Sequence, residues 1–454
     1  MPPTDDHPLF YHSGRPLPII DSARGIRMWD TTGKEYIDGC SCSVLCNIGH
    51  GDERVLQAMA AQASKVSFSY RTQFDNQPSL ELARRLVSLT PEHLTRVFYV
   101  SGGSEAVETA MKLCRQYFFV TGQPARSRFV SRATSYHGAT LGALALTSYA
   151  PLENPFQPLK QPYPKIPAPY CYRCPYGLTH PDCGLECALA LEKVLLECGP
   201  QTVAAFVVEP VTGSSVGALP PPAGYFEIIQ KTCREYGVML ILDEVMTGFG
   251  RTGALFAFEH WGIEADIIAM SKGMGSGYYP LGGVLTSSRI ADSVLAHGGF
   301  AHGHSYAGNP MACTVGKAVL DILVRDGLVQ NASSMGQALR VGLEDLSLCH
   351  PMIGQVRGKG LLLAAELVAD TTTRKPFPPE LQVGKRLTRI AYDLGLLVYP
   401  NRPINGLEGD HVVLAPPLIV TKEDVQEILD RFHAALTVLE EELQAEGSPF
   451  DTAQ

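Results

Sequence analysis

The chain has 454 residues, 45% of them apolar and 18% charged, with a formal net charge of −9 at pH 7. That composition describes a globular protein with a large core, too long for one ordinary domain, and its acidity sets nucleic-acid partners aside. No stretch approaches the roughly 18 uninterrupted apolar residues that cross a bilayer. The start, MPPTDDHPLF, lacks a secretory pattern, so the 12 cysteines read as mostly reduced thiols of a cytoplasmic protein.

The first 60 residues are turn-rich, and DTTGKEYIDG (30–39) predicts a hairpin in an N-terminal arm. Short apolar runs follow: RVFYVS (96–101), RFVSRA (128–133), VAAFVVEP (203–210), VMLILDEV (238–245), DIIAM (266–270) and GGVLTS (282–287). Runs of this length, rich in Val, Ile and Phe, suit strands buried on both faces. Helical patterns at 104–118 and 223–236 separate some of them, which implies crossovers and a mainly parallel sheet. Proline and glycine crowd 150–185, which reads as an excursion outside that sheet. Beyond about residue 325, amphipathic helices near 328–346, 379–394 and 422–441 flank strand candidates at 360–368 and 411–417. The expected organisation is an arm contributing to the small domain (1–60), a large domain (61–325) and a small α+β domain (326–454).

Chemistry concentrates at the ends of the apolar runs. In VSGGSEAVETAMKLCR (100–115) a strand ends in glycines and a helix begins. Free N–H groups at a helix start favour a phosphate near Gly103 and Ser104, with an ordinary cap as the plainer reading. SYHG (135–138) puts Tyr136 where a flat ligand could stack, although a rim aromatic explains it equally well in isolation. Glu209 and the pair Asp243–Glu244 end wholly apolar runs, and a carboxylate there must meet a cation, a metal or a protonated ring. Lys272 follows DIIAM among glycines, in MSKGMGSGYYPLGG (270–283). A lysine on a rigid strand end with room for a planar adduct is what Schiff-base chemistry requires.

Taken in order, these segments resemble the class III aminotransferases, enzymes of pyridoxal phosphate (PLP) fold type I, over roughly residues 20–435. SGGSEAVETAMKLCR is similar to the family's phosphate-loop helix, SYHG to its ring-stacking motif and VVEPVTGSSVG to its central glutamate strand. LILDEVMTGFGRTG, MSKGMGSGYYPLGG, HGHSYAGNP (302–310) and VLAPPLIV (413–420) carry the rest of the resemblance. It implies an α/β fold, with a mainly parallel seven-stranded-type sheet and a smaller α+β domain. It also implies that Lys272 carries PLP and Asp243 pairs with the pyridinium nitrogen, while Tyr136 and Val245 flank the ring. Gly103 and Ser104 hold the phosphate, and His137 and Glu209 join the cofactor's surroundings. Ser305 falls where the family usually has a threonine that reaches the neighbouring subunit's phosphate, implying a homodimer with shared active sites, or a tetramer.

The implied activity is ping-pong transfer of an amino group from an amine to a keto acid. Arg402 falls near the family's carboxylate-binding arginine, with a solvent-facing loop arginine as the alternative. Ala139 stands where 2-oxoglutarate specialists often carry a second arginine. The expected acceptor is therefore pyruvate or another monocarboxylic keto acid, and the donor an ω-amino acid or primary amine; 2-oxoglutarate is the alternative acceptor. The resemblance places Cys40, Cys42, Leu45, Tyr70 and Phe300 near the substrate entrance. Racemase, aminomutase or decarboxylase chemistry on the same fold competes, as does a non-catalytic binding protein, against which the intact Asp243 and Lys272 argue. Finally, Cys171, Cys174, Cys183 and Cys187 have spacing similar to a structural zinc site, with His180 nearby. Reduced surface thiols are the plainer reading, and the family's chemistry calls for no metal.

Overall fold

The computed structural model describes residues 9–10, 17–399 and 409–447. The chain opens on an antiparallel meander of β1 (Ile20–Arg24), β2 (Arg27–Asp30) and β3 (Glu35–Asp38), which contains the predicted hairpin. All six apolar runs then become strands of one sheet. They are β4 (Arg96–Val100), β5 (Arg128–Arg132), β7 (Val203–Val208), β8 (Met239–Asp243), β9 (Ile267–Met270) and β10 (Gly282–Thr286). The seventh, β6 (Lys165–Ile166), comes from the proline-rich excursion, which therefore does not stay wholly outside the sheet. Two residues are too short a run to read as a strand from sequence.

The strand order is β4-β10-β9-β8-β7-β5-β6. Only β10 opposes its neighbours; β6, β5, β7, β8 and β9 pair in parallel. Alternation along the strands fills both faces, as a doubly covered sheet requires. Phe206, Val208, Leu240, Leu242, Ile268 and Met270 pack into one core. Ala205, Val207, Ile241, Ile267 and Ala269 pack into the other, against Ala106, Val107, Ala110 and Leu113 of the helix Gly103–Val120. Each large apolar side chain so buried contributes roughly 1.5–3 kcal/mol, which is why these runs dictate the sheet.

Register then positions the chemistry. Leu242 lies opposite Val208 and Ile268, and Asp243 opposite Ala269. The parallel strands β7, β8 and β9 thus end side by side, and Glu209, Asp243 and Lys272 emerge at one sheet edge.

A second, antiparallel sheet joins β11 (Ile353–Lys359), β12 (Leu362–Leu367) and β14 (Asp410–Leu414), while β13 (Leu396–Leu397) pairs in parallel with β3. Helices Leu328–Cys349, Val383–Asp393 and Lys422–Ala445 accompany them. The helix expected from residue 379 begins instead at Val383, because Pro379–Leu381 forms a single 3-10 turn and Gln382 is left-handed at φ +47°. Among the described residues no helix is long and apolar enough to cross a membrane.

Arg251 ties these layers together. It is fully buried, and its guanidinium donates to Leu361 O (3.0 Å), Pro416 O (2.6 Å), Ser41 Oγ (2.8 Å) and Asn47 Oδ1 (2.9 Å). Burial pulls its pKa down to about 10, so it stays charged at neutral pH.

Candidate active site

A cavity of about 170 Å³ opens at the shared strand edge, lined by Gly103, Ser104, Tyr136, His137, Glu209, Asp243, Val245 and Lys272 among others. These are the cofactor-binding residues expected from the sequence, apart from Ser305. They come from five separate segments, brought together by the strand order. Leu45, Tyr70 and Ser305 do not line the cavity. Leu45 is half-buried, Tyr70 borders a separate groove of about 1110 Å³, and Ser305 is exposed. Arg402 lies outside the described residues.

Lys272 sits two residues past β9 in a left-handed backbone conformation, φ +46°. Such a conformation is unfavourable for a lysine and persists only where the surroundings impose it. Here the N–H groups of Gly275 and Ser276 both donate to Lys272 O at 3.0 Å, and Ser271 Oγ donates to Leu281 O at 2.8 Å. Burial lowers the lysine's pKa, and the nearby Arg251 charge adds to the effect; Tyr399, Asp243 and Glu209 pull the other way.

The acids of LDEV divide by strand parity. Asp243 is buried at the cavity, where its Oδ2 meets His137 Nδ1 at 2.8 Å and its Oδ1 accepts from Val245 N at 3.0 Å. Glu244 points away, fully buried, accepting from Phe258 N at 2.8 Å and from the Thr247 hydroxyl. The adjacent acids therefore do not act as a pair, and neither belongs to a gathered set of metal-ligating side chains among the described residues. Burial raises the Glu244 pKa from 4.5 to about 7. Between those values the folded chain holds a proton that the unfolded chain has lost, so this carboxyl lowers stability progressively as pH rises through that window. Glu244→Gln keeps the acceptor and removes the charge. Its melting temperature should match wild type near pH 5 and exceed it near pH 8, measured by scanning calorimetry; equal melting at both pH values would refute this.

Sequence reading missed several contributors. Arg132 is fully buried at the end of β5 and donates from Nη2 to Glu209 O (2.7 Å) and Thr212 Oγ1 (2.8 Å), with Glu209 Oε2 at 3.7 Å. The charged residue within RFVSRA was the only available signal. Tyr399, Met246 and Val211 also line the cavity, and nothing local in their segments marks them. Cys171, Cys174, Cys183 and Cys187 border one small cavity with His180, and among the described residues no three of them bring ligating atoms within 4.8 Å of one another. Cys171 is exposed on a 3-10 turn while Cys187 is buried in the helix Glu186–Cys198, so the thiols lie at different depths.

The sequence family described as Aminotransferase class-III matches residues 11–436. The chain belongs to the class III aminotransferases. It is 38% identical to an uncharacterized aminotransferase of Bacillus subtilis, YodT, over 94% of this chain and 96% of that one. It is 36% identical to the diaminobutyrate–2-oxoglutarate transaminase of Halomonas elongata, covering 97% and 94%. Among solved structures, an (S)-enantioselective ω-transaminase from Thermomicrobium roseum superposes with a TM-score of 0.89 at 36% identity, covering 96% of each chain. The ω-transaminase of Pseudomonas jessenii, solved in complex with PMP, gives 0.89 at 33% identity over 94% of each.

As a class III aminotransferase the protein is a PLP-dependent transaminase. The cavity fits that cofactor. A Cβ on Gly103 would lie 2.7 Å from Val245 Cγ1, and one on Gly138 would lie 2.6 Å from Ser104 Oγ, so neither position admits a side chain. The helix Gly103–Val120 has no side-chain cap, which leaves its first N–H groups for an anion. His137 Nε2 and Glu209 Oε2 are buried without a hydrogen-bond partner among the described residues, polar atoms still awaiting one.

Proposed function

We propose that this transaminase moves the amino group of a primary amine or ω-amino acid to pyruvate or a similar monocarboxylic keto acid. The observation that carries the acceptor reading is Ala139, which stands beside Ser104 where 2-oxoglutarate specialists often carry an arginine. The Ala139 N–H donates to Ser104 Oγ at 3.0 Å, and its methyl side chain offers a second carboxylate no charge. A dicarboxylate acceptor would leave one charge unpaired in a confined site, an expensive arrangement. Arg402 is the proposed partner for the single carboxylate. The ω-transaminase and amine-transaminase neighbours support this donor class.

When bound, PLP supplies an electron sink for the substrate's amine-bearing carbon. In the proposed arrangement Lys272 Nζ holds the cofactor and, once released, takes the proton from that carbon. Burial, which lowers its pKa, favours the uncharged amine that acts as a base. Asp243 would pair with the ring nitrogen and keep it protonated, with His137 Nδ1 fixing the carboxylate's orientation at 2.8 Å. Tyr136 and Val245 would confine the ring's two faces, and Gly103 and Ser104 would hold the phosphate.

The second subunit is part of the same proposal. Phe68 (45%), Tyr70 (47%), Phe74 (66%) and Tyr306 (60%) are exposed, and the Phe68 and Tyr306 rings meet at 5.8 Å beside exposed Ser305. Contiguous exposed aromatics mark an interface. A homodimer across this face brings Ser305, Tyr70 and Leu45 to the neighbouring cavity. We read the enzyme as cytoplasmic, and the chain as the three units expected from its sequence.

The test is a donor panel run with pyruvate and with 2-oxoglutarate, quantifying alanine and glutamate. We expect alanine formation to exceed glutamate formation in kcat/KM by at least tenfold, and Arg402→Ala to raise the KM for pyruvate with a smaller effect on kcat. Faster glutamate formation would overturn the acceptor assignment. Racemised or decarboxylated donor without alanine would overturn the reaction itself.

A further inference from the structure

One cluster of reactive side chains lies outside the cavity. Residues 38–50, DGCSCSVLCNIGH, place Asp38, Cys42, Cys46 and His50 at every fourth position. They do not share a regular helix. Ser41, Cys42 and Val44 all have left-handed φ values, of +49°, +55° and +54°, in a segment that turns back on itself. The result is that one ligating atom from each of the four residues lies within 4.8 Å of the other three.

We propose that Asp38, Cys42, Cys46 and His50 form a binding site for one zinc ion. A tetrahedral centre with bonds of about 2.0–2.3 Å places its ligands roughly 3.3–3.8 Å apart. Here Asp38 Oδ2 lies 3.1 Å from His50 Nε2 and 3.5 Å from Cys42 Sγ, so the donors need little movement. The set of two thiolates, an imidazole and a carboxylate suits a borderline-soft divalent ion rather than calcium or magnesium.

The outer shell fits as well. Asp38 Oδ1 accepts from the backbone N–H of Cys42 (2.7 Å) and Cys40 (3.3 Å), which orients the carboxylate and leaves Oδ2 facing the cluster. Asp38 and Cys46 are buried while Cys42 and His50 are half-buried, which gives an ion an entry path. The other gathered group, Cys349, His350 and His433, brings three ligands together rather than four. Both ring nitrogens of His350 are engaged, Nδ1 with Glu440 and Nε2 with His433.

The site has a mechanical consequence. Ile48 N donates to Ser276 Oγ at 3.0 Å, and a Cβ on Gly277 would lie 2.9 Å from Cys46 Sγ. An ion closing residues 38–50 therefore braces the turn that follows Lys272. Strained backbone of this kind persists where function holds it.

The test uses the PLP-loaded enzyme exposed to zinc under reducing conditions and then desalted, with metal measured by plasma mass spectrometry. About one zinc per chain is expected in wild type and in the control Cys171→Ser/Cys174→Ser, with at least a ~10-fold loss in Cys42→Ser/Cys46→Ser. Cobalt substitution in the wild-type enzyme gives a measurement that does not depend on a variant folding. It should show thiolate-to-cobalt charge transfer and the intense visible bands of four-coordinate cobalt. Wild type without metal, full zinc content in the Cys42/Cys46 variant, cobalt without thiolate bands, or a Cys42–Cys46 disulfide in peptide maps would each overturn the assignment.

Discussion

Replacing Lys272 by alanine should abolish transamination while leaving a folded protein that still takes up PLP without the visible absorbance of the lysine-bound form. A proton-transfer group in a reacting site contributes roughly 10²–10⁴-fold, and Lys272 is also proposed to hold the cofactor, so the fall should reach at least the upper end of that range. The fold should tolerate the change. Lys272 is held mainly through its backbone, by the N–H groups of Gly275 and Ser276, and its side chain opens onto the cavity. Removing an amine that burial already disfavours in its charged form takes away an unfavourable group. Added small primary amines should restore part of the proton transfer. Transamination by Lys272→Ala at a wild-type rate would contradict the assignment.

The second large effect belongs to Asp243. Asparagine in its place keeps the shape and the hydrogen bond from Val245 N, but gives up the charge proposed to pair with the ring nitrogen. Removing one preorganised electrostatic partner of a reacting group costs roughly 10²–10³ in kcat. The loss should appear in kcat far more than in KM, because the charge acts on the reacting ring and not on the substrate's carboxylate. Asp243→Glu should recover part of it. Unchanged kcat in Asp243→Asn would show that the carboxylate does not serve the ring nitrogen, and that its 2.8 Å contact with His137 is its whole purpose.

These two residues were readable in advance because their segments are locally extreme. A carboxylate that ends MLILD, and a lysine after IIAM among glycines, stand out where every neighbour is apolar. The sheet was readable for the same reason, since runs buried on both faces have no polar residues to interrupt them. β11 was not, because IGQVRGK is half-buried along much of its length and carries polar residues. Arg132 and Tyr399 escaped notice because their place in the site depends on strand order and on a distant segment, not on anything adjacent in the chain. The cysteines show both sides of this limit. The excursion's cysteines carry a zinc-like spacing that is legible in the sequence, whereas the donors at 38–50 gather where left-handed residues fold the segment back on itself.

The central claim is that Lys272 is the lysine that holds PLP. Borohydride reduction of the PLP-loaded enzyme, followed by proteolysis and tandem mass spectrometry, tests it directly. The account predicts the reduced cofactor's mass on the peptide containing Lys272 and on no other lysine. A modified lysine elsewhere, with an unmodified Lys272 peptide recovered in full yield, would contradict it.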